Sequence, residues 1–428
     1  MQVPVAGIDV GKNFSEMALL TPNNEIYQKI KIYHRKKECF NKSIDILKKA
    51  EKEFKAKPHI VMESTGHYFK ILFNFFTNNG YKVTVINPIQ TNCIKNLSVR
   101  KVKNDKIDAR RLAIIYRLGE VKTSIILRDN TQMIKTLCRQ YYKITDECTV
   151  YKNRIIGIVD QLLLNFDEVF SDICSNTALT LLYEYPTPDN ILKADKEELI
   201  KLIASISRRG VKWATEKYEC LCLKANEFKF LSLNDEANTT ILRCYIDILR
   251  TLECSKDKIY KQILDLIEND RSESNTFSRM VDLLCTIPEI GIISAVTLLA
   301  EMGDFQLFKS PDKLIAYFGV DASVNQSGEF KGTENHISKR GSRLARRVLY
   351  MLAKSSIGKK SNGELRNPIL HEFYGQKCVS KPKKVAQVAV MRKLICFIFA
   401  VLRDKKPFEL RKPEEHQKQI RAKSSTAA

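Results

Sequence analysis

Short apolar runs and helical patterns alternate along the N-terminal part of the chain. The runs typical of strands lie at 3–10, 16–22, 25–34, 58–65 and 81–88. The patterns typical of helices lie at 37–56, 66–80 and 105–119, with Asn104 as a candidate cap for the last helix and Gly80 and Gly119 as helix ends. Three sequential strands followed by alternating helix and strand predict an α/β domain, a mixed sheet with helices packed on it.

Two long, polar-rich helical patterns follow, from about residue 130 to 166 and from about 234 to 270. Between Ile134 and Val159, apolar residues recur every three to four positions, which is typical of a helix with one apolar side. Two interpretations fit this pattern equally well. The segments form either a helical arm or coiled coil, or two helices of an ordinary bundle.

The C-terminal part begins near Phe277 with two apolar helical segments, at 283–305, joined by a Pro-x-x-Gly turn. This pattern is similar to a helix-hairpin-helix, whose turn can offer backbone N–H groups to a phosphate. After Arg403 the chain becomes charged and then small and polar, as in a flexible basic tail. We therefore expect four segments: a catalytic α/β domain (1–125), a long-helix or coiled-coil region (126–275), a mainly α C-terminal domain (276–407) and a tail (408–428).

The charge of the chain indicates its partner. Lys and Arg number 71 against 49 Asp and Glu, a formal net charge of +22, which predicts binding to a polyanion. The uninterrupted apolar runs, such as Leu394–Leu402, are shorter than the about 20 residues that a membrane span needs, and no signal peptide is expected. The 12 Cys and six His have no regular spacing, which argues against a zinc site and fits reduced thiols in a cytoplasmic protein.

Four carboxylates lie at positions from which they could coordinate a divalent cation. Asp9 and Glu63 each end a predicted buried strand, and Asp105 and Asp108 lie three apart on one side of a predicted helix. Mg²⁺ and Mn²⁺ prefer such ligands, and a pair of these ions can promote cleavage of a phosphodiester. Taken singly, each acid has a simpler interpretation: a turn residue, a surface charge, or a first-turn residue that interacts with the helix dipole. The four acids together favour a metal site.

Basic residues surround the acidic pair on the predicted helix, as expected beside a site that cleaves a phosphate backbone. They are Arg100, Lys101, Lys103, Lys106, Arg110 and Arg111, of which we select Lys103, Arg110 and Arg111 as candidate nucleic-acid contacts.

These segments resemble a known family, the DEDD transposases of insertion sequences, specifically the IS one-ten group. The N-terminal resemblance rests on GIDVGKN, VMESTGHY and NPIQTNCIKNLSVRKVKNDKIDARRLA. The C-terminal resemblance rests on IPEIGIISAVTLLAEMGDFQLFKSPDKLIAYFGVDASVNQSG, HISKRGSRLARRVLY and KPKKVAQVAVMRKLICFIF. It covers residues 3–120 and 281–405, and the middle is only generically similar.

The resemblance implies an RNase H-like, RuvC-like N-terminal domain in which Asp9, Glu63, Asp105 and Asp108 are the catalytic, metal-binding acids. It also implies that Ser327, in the second domain, attacks DNA and forms a covalent phosphoserine. A structured noncoding RNA, the bridge RNA, is expected to guide the enzyme by pairing with target and donor DNA. The active complex is expected to be a homo-oligomer, a dimer or tetramer, associated with the bacterial nucleoid in the cytoplasm.

The residues around Ser327 point to nucleic acid less specifically. From sequence alone a Ser before a Gly is usually a turn residue, and Ser323 is an alternative nucleophile. A basic segment follows, in which Arg340, Arg343 and Arg347 are predicted to share one helical face. Its candidate phosphate contacts are Lys339, Arg340, Arg343 and Arg347. Arg139, Tyr141 and Tyr142 in the first long helix are candidate RNA contacts, although such residues more often lie on a half-buried helix.

Three other functions stay open at this point. A RuvC-like junction nuclease would hydrolyse DNA with water and would not need Ser327. An actin-like kinase can begin with Gly-Ile-Asp-Val-Gly, but its second phosphate loop and adenosine-binding glycines are missing from the pattern. A binding module without catalysis would not need an intact set of four acids.

Overall fold

The structure is a computed structural model that describes residues 3–64, 68–86, 105–119, 129–231, 236–272, 276–322, 326–327, 330–331 and 336–410. Contacts divide the chain into two units, 1–127 and 128–428. The predicted coiled-coil region and C-terminal domain both fall in the second unit. The boundaries between them stay a prediction, and the predicted tail lies almost wholly outside the described residues.

The first unit contains a five-stranded mixed sheet, as the sequence predicted. Its strands are β1 (Val5–Val10), β2 (Phe14–Leu20), β3 (Ile26–Tyr33), β4 (His59–Glu63) and β5 (Val83–Ile86). Their order in the sheet is β3-β2-β1-β4-β5. The first three strands form an antiparallel meander, whereas β4 and β5 run parallel to β1.

Helices cover both faces of this sheet. On one face, α1 (Lys37–Phe54) and α2 (Phe69–Asn78) pack on alternate strand residues such as Ile8, Met17 and Met62. On the other face lies α3 (Asp105–Arg117), which contacts β1, β2 and β4. The predicted glycine ends of two helices adopt positive φ angles, at Gly80 and Gly119, whereas the predicted cap Asn104 lies outside the described residues.

Two long helices, α4 (Asp129–Leu162) and α10 (Glu236–Ser272), pack on each other in the second unit. They run antiparallel, because Tyr141 contacts Tyr260 near one end and Gln161 bonds to Asn238 near the other. Shorter helices pack on this pair, as in a bundle. They are α5 (Phe166–Val169), α6 (Asn176–Glu184), α7 (Pro188–Lys193), α8 (Lys196–Ser207) and α9 (Val211–Phe228), followed by a 3₁₀ turn (Lys229–Leu231).

The rest of the second unit is also mainly helical, as predicted. It contains α11 (Thr276–Cys285), α12 (Ile292–Met302), a 3₁₀ turn (Phe305–Leu307), α13 (Pro311–Phe318), a hairpin of β6 (Gln326–Ser327) and β7 (Phe330–Lys331), α14 (Arg343–Ser356), α15 (Pro368–Ser380) and α16 (Lys383–Asp404). The turn between α11 and α12 has the predicted position, and its Glu289 accepts hydrogen bonds from Arg366 and Ser355.

One helix among the described residues, α16, is long and apolar enough to cross a membrane by those two criteria alone. Of its most apolar stretch, 56% is buried inside the protein. Its residues Leu394, Ile395 and Ile398 are fully buried in the core that it forms with α13, α14 and α15. In this structure α16 is therefore the central core helix of the C-terminal part.

Candidate active site

Asp9 and Glu63 lie side by side at one edge of the sheet. The strands β1 and β4 are parallel, and Ile8 pairs with Met62, so the next position in register joins Asp9 to Glu63. Neighbouring strands are about 4.8 Å apart, and residues in register point to the same face. The sheet therefore brings the first two predicted acids together at the carboxyl ends of their strands.

Helix α3 covers the face to which these two acids point. Gly7, two residues before Asp9 and hence on the same face, lies against the backbone of Ala109. The C-terminal end of α3 lies at the opposite edge, where Tyr116 stacks on His59 with the ring centroids 4.6 Å apart. The helix thus runs antiparallel to β1, and its N-terminus lies at the edge that carries Asp9 and Glu63.

The other two predicted acids belong to that N-terminus. Asp108 is buried, with 7% exposure, and one of its carboxylate oxygens is 3.3 Å from Nη1 of Arg111. Asp105 is the first residue of α3, and its side chain lies outside the described residues. Of the predicted basic contacts nearby, Arg110 is exposed and Arg111 pairs with Asp108, whereas Lys103 lies outside the described residues.

The acids suit a hard divalent cation in their chemistry, because they are carboxylates gathered at one end of one face and two of them are buried. Among the described side chains, however, no three His, Cys, Asp or Glu residues lie close enough together to hold a metal ion. The set that the family resemblance implies includes Asp105, which is not among those side chains. The described acids alone therefore form no metal site, and the four-acid site stays a candidate.

Ser327 lies on a short hairpin in the second unit. It ends β6 and pairs with Phe330 of β7, so only two residues separate the strands. The base of the segment is fixed by a bridge between Ala322 and Ile337 and by a hydrogen bond that Ser338 donates to Asp321. The side chain of Ser327 and the whole of Ser323 lie outside the described residues.

Comparison with known proteins decides the family. The profile of the IS110-type DEDD transposases, described as "Transposase", matches residues 6–164. The profile described as "Transposase IS116/IS110/IS902 family" matches residues 281–374. Together the two cover more than half of the chain, in the order that the sequence resemblance indicated. The chain belongs to the IS110 family of transposases. It is therefore an enzyme, a DNA transposase or recombinase, and its partner is DNA.

Curated relatives extend the match over most of the chain. An "Insertion element IS110 uncharacterized 43.6 kDa protein" from Streptomyces coelicolor is 24% identical and covers 78% of this chain and 79% of its own length. A "Pilin gene-inverting protein" from Moraxella lacunata is 22% identical and covers 95% and 97%. The protein of that name from Moraxella bovis is 25% identical and covers 82% of each chain.

The predicted phosphate contacts of the transposase near α14 differ in their surroundings. Lys339, Arg340 and Arg343 are exposed. Arg347 instead makes two bonds of 2.7 Å to the carboxylate of Asp146 and lies over the ring of Tyr142. Arg340 precedes the N-cap of α14, so the prediction that it shares a helical face with Arg343 and Arg347 was wrong.

One candidate RNA contact, Arg139, pairs with a buried carboxylate inside the fold. Arg139 donates two hydrogen bonds, of 2.6 and 2.9 Å, to Glu301, which is 2% exposed. Lys135 lies 3.6 Å from the same carboxylate. Although burial opposes ionisation, hydrogen bonding to Arg139 and the positive charges of Lys135 and Arg139 hold the pKa of Glu301 below its ordinary value. Arg139 therefore joins α4 to α12, a role that no local sequence pattern indicated.

The two neighbouring tyrosines of α4, Tyr141 and Tyr142, also make packing contacts within the fold. Tyr142 packs against the core of the C-terminal part, and burial raises its pKa above the ordinary value. Tyr141 packs edge-on against Tyr142 and contacts Tyr260 of α10. The half-buried helix that the sequence offered as the alternative describes these residues better.

Proposed function

We propose that this transposase cuts and rejoins DNA with the carboxylates of its first unit and the serine of its second. The observation that carries the proposal is the position of Asp9 and Glu63 on adjacent parallel strands, facing the helix that begins with Asp105 and contains Asp108. A divalent cation held there, Mg²⁺ or Mn²⁺, would offset the negative charge of the DNA phosphate during the reaction.

In the proposed cleavage step, the Ser327 hydroxyl oxygen bonds to the phosphorus of a DNA phosphodiester. The bond from phosphorus to one deoxyribose oxygen breaks, and the proton lost by the serine ends on that leaving oxygen. Rejoining is the reverse reaction with the hydroxyl of a different strand end, so no phosphodiester energy is lost to water. The structural support for this step is the backbone position of Ser327, which ends β6 directly before the two-residue connection to β7.

The choice of DNA sequence is proposed to lie with a structured noncoding RNA, the bridge RNA, that pairs with element ends and target. The support is the family together with a net charge of +22, which suits contacts to nucleic-acid backbones rather than to bases. The active complex is proposed to be a dimer or tetramer in which the serine of one subunit meets the carboxylates of another. Its place is proposed to be the cytoplasm, on nucleoid DNA.

The names of two relatives support a recombinase that rejoins the DNA it cuts. Inverting a gene, as the Moraxella proteins are named for, requires that the DNA duplex be cut at both ends of the segment and rejoined in the opposite orientation. We propose the same class of reaction here, on the ends of the element that encodes the transposase.

The test uses the full-length transposase co-expressed with DNA that flanks its gene, with Asp9→Asn and Ser327→Ala as variants. We expect the wild-type protein to remain covalently attached to cut DNA on a denaturing gel, and neither variant to do so. A Ser327→Ala protein that still cuts and rejoins DNA would favour the RuvC-like nuclease that uses water. An Asp9→Asn protein with full activity would exclude the carboxylate mechanism.

RNA guidance is tested separately. RNA that copurifies with the transposase should be sequenced and compared with the element ends and the insertion target. We expect two segments that pair with them, and changing one segment should redirect the reaction. Unchanged DNA choice by a protein purified without RNA would contradict this part of the proposal.

A further inference from the structure

A fifth acid faces the proposed metal site from the strand on the other side of Asp9. Glu16, in β2, is the direct pairing partner of Asp9 in β1. Directly opposed residues in an antiparallel pair share a face, with their Cα atoms about 5 Å apart. Since Glu63 is in register with Asp9 on the opposite side, three carboxylates form one row across β2, β1 and β4.

The alternation along β2 confirms which face Glu16 occupies. Its neighbour Met17 packs in the core under α1 and α2, and so does Leu19. Leu20 packs in the opposite cluster, with Leu112 and Ala113 of α3. Glu16 and Leu20 are four residues apart on the same strand and therefore point to the same face. The side chain of Glu16 thus lies on the face that α3 covers.

The carboxylate of Glu16 has no hydrogen bond or ion pair among the residues that the structure describes, although its residue is only 7% exposed. Its pairing partner in β3 is a cationic residue, Lys31. The ammonium group of Lys31 lies instead over the ring of Phe14, 3.5 Å from the centroid. A cation bound beside Asp9 would offset the negative charge of this mostly buried residue.

We infer that Glu16 is a positioning residue of the metal site, one that strengthens binding of the divalent cation on Asp9 and Glu63. The inference rests on the proposed function, because it takes the cation site as given. Glu16 acts by its negative charge beside Asp9, its pairing partner in β1. A carboxylate next to the primary ligands typically changes metal affinity about 10- to 100-fold.

The variant Glu16→Gln keeps the shape of the side chain and removes its charge. We expect the Mn²⁺ concentration at the midpoint of thermal stabilisation of the full-length protein to rise about 10- to 100-fold. Without metal, the thermal unfolding midpoint should stay the same or rise, because repulsion along the row decreases. A purely structural glutamate would show the reverse, a less stable protein with an unchanged Mn²⁺ midpoint, and that result or a failure to fold would overturn the inference.

Two controls separate this inference from the proposed function. Glu25→Gln removes an exposed glutamate beside the same sheet and should leave the Mn²⁺ midpoint unchanged. Asp9→Asn should abolish the saturable Mn²⁺ effect. If the wild-type protein shows no saturable effect either, the proposed metal site fails as a whole. If Asp9→Asn abolishes the effect and Glu16→Gln keeps the wild-type midpoint, only the role of Glu16 fails.

Discussion

Arg117 joins the end of α3 to two loops of the first unit. Its guanidinium group donates hydrogen bonds of 2.7–2.8 Å to the carbonyl oxygens of Val3, Thr21 and Pro22 and to the side chain of Asn24. Charged hydrogen bonds of this kind contribute about 1.5–3 kcal/mol each before losses elsewhere. Arg117 thereby fixes the helix whose other end carries the acidic pair.

We predict that Arg117→Ala lowers the free energy of unfolding of the first unit by about 3 kcal/mol. Arg117→Lys should recover less than half of this loss, because the single ammonium group of lysine cannot reach all four acceptors that surround the planar guanidinium group. Hydrogen exchange of peptides from β1, β2 and α3 in the full-length protein measures the loss. Arg35→Ala, at an exposed arginine, is the control. Equal protection in all these proteins would contradict the prediction.

His59 makes the first unit sensitive to acid. Burial, with a smaller effect of the charge on Lys82, lowers the pKa of His59 from 6.5 to about 4. Its Nε2 is 2.7 Å from the Thr84 hydroxyl. The folded state resists protonation, so this contribution to stability is complete above pH 6.5 and is lost as the pH falls towards 4. The difference corresponds to about 3 kcal/mol.

The prediction is tested with His59→Gln, whose amide does not titrate and can still bond to Thr84. Between pH 6.5 and 4, the wild-type protein should lose about 3 kcal/mol more of its unfolding free energy than the variant. Urea-dependent hydrogen exchange of β4 at several pH values gives both curves. Parallel curves would show that His59 is not the responsible group.

The contact between β1 and α3 depends on the absence of a side chain at Gly7. A Cβ atom there would lie 1.9 Å from the carbonyl oxygen of Ala109 and 2.9 Å from the backbone nitrogen of Ala113. Both atoms belong to helical backbone and cannot rotate away. Any larger residue must therefore push α3, and with it Asp105 and Asp108, away from Asp9.

We predict that Gly7→Ala costs about 1–3 kcal/mol and also abolishes the Mn²⁺-dependent stabilisation, because the carboxylates separate. Gly157→Ala is the matched control: this glycine lies inside α4 with no atom within 4 Å of an added Cβ. It should stabilise the protein by about 1 kcal/mol through helix propensity. Thermal unfolding with and without Mn²⁺ measures both. A normal Mn²⁺ response in Gly7→Ala would contradict the assigned position of α3.

The strands and helices of the first unit could be predicted because their patterns are local. The short apolar runs at 16–22 and 58–65 and the partly alternating segment at 25–34 are each typical of a strand. Register is not local, however. That Asp9 pairs with Glu16 follows from the turn at 11–13, and this pairing could have been inferred from a tight hairpin, yet only the sheet order adds Glu63 to the same row.

Contacts between distant segments explain what the sequence could not predict in the second unit. Arg139 and Glu301 are 162 residues apart, and Arg347 and Asp146 are 201 apart. Each of these arginines has the sequence surroundings of a nucleic-acid contact, because a basic helix face looks the same whether or not another helix supplies a carboxylate. The basic composition thus predicts the DNA partner, whereas the individual contacts stay predictions.

This distinction between free and paired arginines yields a prediction about DNA binding by the transposase. Lys339, Arg340 and Arg343 are exposed, so each can release counterions on binding a phosphate. Replacing all three with Gln should reduce the slope of log binding constant against log salt by up to about 0.9 for each lost phosphate contact. Arg347→Gln should leave the slope nearly unchanged, since Asp146 already neutralises that charge. Titrations of a short DNA duplex of arbitrary sequence at several salt concentrations measure the slopes. An equal loss of slope in Arg347→Gln and in a single Arg343→Gln variant would show that the ion pair opens to bind DNA. That result would contradict the prediction that exposed basic residues contact phosphates and paired ones do not.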